Sequence, residues 1–294
     1  MDLSSAAATR PDGKALAATA TAVVLWASAF VSIRSAADHF GPGALSFGRL
    51  ATGSVVLLAL LLYRREGLPP KAAWPGIVAS GVLWFGLYTV AIHWGERLVD
   101  AGTAAMVVAL GPVLIALLSS RLLHEGLPRR LVGGLAVSFA GALVVGVSMS
   151  GGGGGSVGGI LLCVLAAVTY AAGVVLQKPA LRHASPLQVT ALSCATGAVV
   201  CLPFAPQLVS QLAAAPVDAG LNVLYLGLFP TALAFTAWAY ALARTTAAKL
   251  GATTYVVPAL VVLMSWAVLG ELPRPLAFAG GALCLAGVAL SRRG

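Results

Sequence analysis

Charge is scarce in this sequence: Asp, Glu, Lys and Arg supply only 9% of its 294 residues, where a soluble domain carries about 25%. Acid is the scarcer sign, with 9 Asp and Glu against 18 Lys and Arg. At 59% hydrophobic residues and a mean hydropathy of +0.95, too little polar surface remains to coat a water-soluble fold, so an integral membrane protein is expected. Runs that alternate apolar and polar residues are missing, which argues against an outer-membrane barrel. The cysteines Cys163, Cys194, Cys201 and Cys284 lie in apolar runs without CxxC or metal-ligand spacing. They read as small buried hydrophobes, and neither metal nor cofactor is expected. HExxH, GxSxG and any acid pair at membrane depth are absent, which speaks against an intramembrane enzyme. The run Gly151 to Gly155 lacks the Lys-Ser or Lys-Thr of a phosphate loop, so a pump that burns ATP on its own is excluded too, and the run reads as a linker. No convincing cleavage site follows the polar start, and Met1 to Lys14 reads as a short inner-side tail.

What is present is a series of apolar runs, at about 15–33, 44–63, 74–94, 101–121, 130–148, 157–177, 187–208, 218–241, 246–268 and 275–291. Each is near the roughly 20 residues that a helix needs to cross a bilayer. The expected fold is an all-α membrane protein of ten transmembrane helices joined by short turns, with no room for an extramembrane domain. With the N-terminus inside, 14 of the 18 cations fall on the cytoplasmic side and 4 (Arg34, Arg49, Arg97 and Arg274) on the other. That bias places both termini in the cytoplasm and explains the net charge of +9 as a topology signal, without a nucleic-acid partner.

The sequence also repeats itself. A shift of 146 residues lays "GPVLIALLSSRLLHE" (111–125) over "VPALVVLMSWAVLGE" (257–271), with Pro112 on Pro258 and Glu125 on Glu271. The same shift carries Gly81 onto Gly227, Gly134 onto Gly280 and Gly141 onto Gly287; a shift of 144 carries Trp26 onto Tyr170 and Arg34 onto Lys178. The chain thus divides into 15–148 and 157–291, each with five spans. Five is odd, so the second copy enters the membrane in the opposite sense, giving two inverted five-helix repeats and making transport through a cavity between them the leading function. Each Pro-to-Glu segment is expected to be one continuous crossing.

Candidate cavity residues are the polar and aromatic groups inside spans: Trp26, Ser28, Trp84, Tyr88, His93, Tyr170, Gln177, Trp238 and Tyr255. Trp84 and Tyr88 stand one helical turn apart and form a stripe suited to an apolar or aromatic side chain. Trp94 and Tyr240 read either as further cavity aromatics or as interfacial anchors. His93 is the only histidine within a span, either a hydrogen-bonded group or one that couples to a proton. Arg49 must snorkel, pair, gate or face an anion, and Glu96, Arg97 and Asp100 share its side of the membrane. Thr253, Thr254 and Tyr255 precede Pro258 and either repair the kink there or offer its freed carbonyl to a substrate. Pro112, Pro258, Glu125 and Glu271 complete the set assigned to gating or packing.

"LWASAFVSIRSA" (25–36), "AGTAAMVVALGPVLIALLSSRLLHEGL" (101–127) and "LGELPRPLAFAGGALCLAGVAL" (269–290) resemble the EamA-type members of the drug/metabolite transporter superfamily over nearly the whole chain. The resemblance implies a bacterial inner-membrane secondary transporter that exports amino acids or related small metabolites, and it is similar to the aromatic amino-acid exporters. It further implies a cavity lined by Trp26, Ser28, Trp84, Tyr88, Tyr170 and Trp238; separately, the chain is expected to be a monomer. Ala27-Ser28-Ala29 departs from the family's commoner Gly-Ser-Asn or Gly-Ser-Ala. A multidrug or nucleotide-sugar carrier of the same superfamily, or a passive channel, stays open as the alternative.

Overall fold

The computed structural model describes residues 12–36, 38–99, 101–149, 156–269 and 275–292, and every regular element among them is helical. The helices are α1 (Gly13–Ala36), α2 (Pro42–Tyr63), α3 (Trp74–Ser80), α4 (Thr89–Leu98), α5 (Ala101–Val108), α6 (Leu110–Leu122), α7 (Arg129–Met149) and α8 (Val157–Ala180). There follow α9 (Pro186–Val200), α10 (Ala205–Ala214), α11 (Val217–Leu226), α12 (Ala234–Leu242), α13 (Ala247–Thr253), α14 (Val256–Leu269) and α15 (Pro275–Arg292). The expected linker at Gly151 to Gly155, and Asp100, Glu271 and Arg274, lie outside the described residues, as do the side chains of Arg34 and Glu96.

This is an all-α multi-pass membrane protein. Among the described residues 8 helical runs are long and apolar enough to cross a membrane, or 9 if the bent pair α9 and α10 is one crossing. The shorter apolar stretch Met106–Leu122 stands beside them. Outward faces are as greasy as the interior: Leu62 is 77% and Val217 81% exposed, which suits lipid and not water.

Two spans differ from expectation and a third carries an irregular turn, each for a local backbone reason. The crossing expected over 101–121 is broken at Ala109, between α5 and α6. Pro112 supplies no N–H to the Val108 carbonyl one turn back, so the helix has nothing to hold it there. The crossing expected over 246–268 is present as one apolar run, Ala247–Val268, with a turn at Thr254 and Tyr255, ahead of Pro258, between α13 and α14. There the Tyr255 and Val257 N–H groups tighten onto the Ala252 and Thr254 carbonyls three residues back. The run expected over 187–208 ends at Val200; a tight turn at Leu202–Phe204 contains Pro203, and α10 leaves at 57°. Pro203 has no N–H to offer the Val199 carbonyl one turn back, which weakens the helix where it stops.

Long-range contacts point to an internal repeat. The most extensive pairing of elements among the described residues joins α7 to α15, where a Cβ on Gly134 would stand 2.5 Å from the Gly287 carbonyl oxygen and one on Gly141 2.7 Å from that of Gly280. Under the 146-residue shift these two contacts exchange. At their centre Ser138 Oγ donates to the Cys284 carbonyl at 3.1 Å, across a separation of 146 residues. A second such crossing joins α2 to α9, where Cys194 Sγ approaches the Leu50 carbonyl, 144 residues away, at 3.5 Å.

Backbone atoms cannot yield to an added methyl as a side-chain tip can. Gly141→Ala is therefore expected to destabilise the protein by about 1–3 kcal/mol and to lower its thermal midpoint in mild detergent. Gly133→Ala, whose Cβ would meet only Leu290 Cδ2 at an ordinary 3.7 Å, should leave the midpoint unchanged. Equal midpoints for the two variants would contradict the packing described.

Candidate functional site

Between α3 and α4 the helix widens into a π-helical stretch, Gly81–Tyr88, and between α11 and α12 into a second, Gly227–Leu233. Their first residues are the pair Gly81 and Gly227 that the repeat superposes. The widened turn carries Trp84 and Tyr88 toward α8, where Gly173 lets the Trp84 backbone and Cβ approach; a methyl on Gly173 would sit 2.5 Å from that Cβ. Tyr170, one turn before Gly173, stacks beside Trp84 at 5.6 Å between ring centroids and beside Tyr88 at 5.6 Å. From the other side Trp26 of α1 meets the edge of Trp84 at 6.0 Å, and its Nε1 donates to the Pro230 carbonyl at 3.2 Å. Phe235, at the start of α12, closes the cluster 4.7 Å from Trp84.

These rings wall a cavity of about 260 Å³. Of the residues expected to line it, Trp26, Trp84, Tyr88, His93, Tyr170 and Tyr255 do so, joined by Arg49, Pro112 and Pro258. The remainder fall elsewhere. Trp238 is fully buried behind Trp26, at 5.0 Å. Ser28 bonds the Tyr225 hydroxyl at 2.7 Å. Gln177 is packed into α8 with no exposure. Trp94 stacks on Phe204, and Tyr240 lies under the Arg244 guanidinium.

The helix breaks adjoin the same cavity. Tyr255 donates its hydroxyl to the Ala109 carbonyl at 2.7 Å, so the two interruptions, 146 residues apart, touch each other. Thr253 and Thr254 bond back to the Leu250 and Gly251 carbonyls, which is repair of the kink, while Thr254 also faces the cavity. His93 Nδ1 lies 2.8 Å from the Ser46 hydroxyl, which itself donates to the Pro42 carbonyl, and Arg49 Nε donates to Thr231 Oγ1 at 3.1 Å.

Glu125 belongs to a different assembly. His124 takes a left-handed backbone, φ 55°, and turns the chain so that the Glu125 N–H returns to the Ser119 carbonyl. The carboxylate then meets Lys178 Nζ at 2.5 Å and accepts the Ala247 and Ala248 N–H groups at the start of α13. Lys178 also donates to the Thr245 carbonyl. Lys178 ends α8, far from the Ser156 start of that helix, which meets the end of α4 through the Leu98 carbonyl. The clamp therefore ties one end of the bundle, whereas the cavity reaches Phe30, Ile33 and His93 toward the other.

Phe235, Thr231 and Lys178 were not singled out from the sequence. Phe235 and Thr231 look like ordinary apolar-run residues until the π turn aims them, but Lys178 had a signal, its superposition on Arg34 by the repeat.

The two halves of the chain match one and the same family model, the EamA-like transporter family, over residues 13–147 and 157–293. The chain belongs to that family. It is a secondary transporter, and not an enzyme. A Streptantibioticus cattleyicolor protein named "Probable terminal-alkyne amino-acid exporter" is 37% identical over 280 residues, 95% of this chain and 94% of that protein. The Bacillus subtilis "Uncharacterized transporter YdfC" is 32% identical over 90% of this chain and 86% of its own length. A solved structure with TM-score 0.78 and 24% identity, covering 96% of this chain and 98% of that one, shares the fold.

Burial raises the Glu125 carboxyl's pKa, but hydrogen bonds from Lys178 and the Ala247 N–H, with the charge of Lys178, outweigh it and hold the carboxyl below its ordinary 4.5. A depressed carboxyl pKa contributes stability above the ordinary value, and loses it as pH falls through the folded value. Glu125→Gln is therefore expected to cost about 2 kcal/mol near neutral pH and to flatten the fall of the thermal midpoint below pH 4.5. An unchanged acid limb in the variant would contradict the assignment.

Proposed function

We propose that this EamA-family chain is a monomeric ten-helix carrier of two inverted five-helix units, 15–148 and 157–291, that exports amino acids or related small metabolites by alternating access. The observation that carries the reading is the aromatic cavity, walled by Trp26, Trp84 and Tyr88 from the first unit and by Tyr170, Phe235 and Tyr255 from the second. A cavity between two units can open to either side when the units rock. Glu125 and Lys178 close one end. Their repeat counterparts Glu271 and Arg34 are assigned to the other end in the alternate state, on the strength of sequence position alone. The positive-inside bias supports a bacterial inner membrane with both termini in the cytoplasm, so the described cavity is read as facing outward.

The cavity's size and lining support the substrate class. At about 260 Å³ it lies below the roughly 300–1,000 Å³ of drug-sized sites, which favours a small solute over the multidrug alternative. One guanidinium suits a single carboxylate better than a nucleotide sugar's diphosphate. The name of the Streptantibioticus cattleyicolor relative supports an amino acid.

Proteoliposomes loaded with labelled phenylalanine, tyrosine, tryptophan and aliphatic amino acids are expected to show saturable, protein-dependent counterflow. Tyr88→Ala should slow it by about tenfold or more. Linear, unsaturable flux would instead make the protein a channel, and no flux of any of these would sink the proposal.

His93 is the imidazole on the cavity wall and takes the proton-coupling role in this reading. Collapsing the pH gradient should lower uphill accumulation, and undiminished accumulation would remove that role.

A further inference from the structure

Arg49 sits about two turns into α2, on the wall of the aromatic cavity. A guanidinium offers five N–H donors. Thr231, itself fully buried in the second π-helical stretch, accepts the Nε donor and fixes the plane of the head group. Among the described residues no carboxylate is in ion-pair contact with Arg49, whereas Lys178 pairs with Glu125 and Arg244 with Asp12 at the clamped end. Among the described residues no acidic side chain lines the cavity. A positive charge kept at depth with no described carboxylate in contact marks a functional position, and the planar fork of arginine matches a carboxylate in particular.

We propose that Arg49 is the carboxylate anchor of the transported solute, held for that purpose by Thr231. This rests on the transporter reading and narrows it to small monocarboxylates with an apolar or aromatic side chain. The rings of Trp26, Trp84, Tyr88 and Tyr170 receive that side chain. An amino group, where the solute has one, finds no acid among the described lining residues and is met by ring faces. The carboxylate is therefore the obligatory group and the amine a dispensable one.

The test is equilibrium binding to the purified full-length protein in detergent, read by tryptophan fluorescence, since Trp26 and Trp84 line the cavity. The probes are phenylalanine, its deaminated analogue 3-phenylpropanoate and its decarboxylated analogue phenethylamine. Both acids should bind saturably, and phenethylamine more weakly by roughly tenfold or more. Arg49→Gln should weaken the acids by roughly 10- to 100-fold and leave phenethylamine unchanged, with Arg49→Lys between the two. The proposal is overturned by an amine that binds as well as the acids, by a folded Arg49→Gln protein that keeps the acids, or by binding of none of the three. Should Arg49→Gln fail to fold, the ligand series on the wild-type protein and the Arg49→Lys variant decide. Acids that bind through Arg49 but are not moved in proteoliposomes would defeat the transport reading and leave the anchor standing. Flux that survives Arg49→Gln would do the reverse.

Discussion

Hydrocarbon offers a peptide group no hydrogen-bond partner, so every interruption of a helix inside a span has to be answered from within the protein. This chain interrupts its helices at Ala109, at Thr254 and Tyr255, and widens them at Gly81–Tyr88 and Gly227–Leu233. The answers are local and specific: a tyrosine hydroxyl on the Ala109 carbonyl, threonine hydroxyls on the carbonyls before the second break, and the Trp26 indole on the Pro230 carbonyl inside the second widened turn. Irregular backbone is tolerated at depth where it lines a cavity or is buried in protein. Here the irregular segments and the cavity coincide, and the residues that repair the backbone are largely those that face the void.

Charge obeys the same economy. A chain with so few ionised groups places Lys178 and Glu125 together at one end of the bundle, where the pair also caps the start of α13 and joins segments far apart in sequence. Arg49 is the exception, a cation among rings with a hydroxyl for company. The contrast separates two uses of charge: one pair ties backbone together, and one lone group is left with donors to spare.

The helical, multi-span character was legible from composition and run length alone, because lipid-facing and core-facing positions are both apolar and leave long unbroken signals. Pairing of Gly134 with Gly287 and Gly141 with Gly280 was foreshadowed by the 146-residue register, since small residues recur where backbones approach. The breaks were harder to read. Pro112 and Pro258 marked them, but a proline inside an apolar run signals a bend as readily as an interruption, and nothing in the letters chooses. The π-helical turns left no signature, since Gly81–Tyr88 differs from an ordinary helical turn only in hydrogen-bond register. Trp84, Tyr88 and Tyr170 could be picked as aromatics at depth. Gln177 satisfied the same criterion and lies off the cavity wall, because polarity at depth does not say which face of α8 is turned to the cavity.

The glycine crossing of α7 and α15 also bears on how the molecule is put together. Its partners lie 146 residues apart, so α7 leaves the ribosome well before α15. The glycine contacts between them therefore cannot form until both halves have been made. Until α15 arrives, α7 presents to lipid a bare face built for another helix. Such non-local closure is slow by nature, and it makes the meeting of α7 and α15 a late step in joining the two halves.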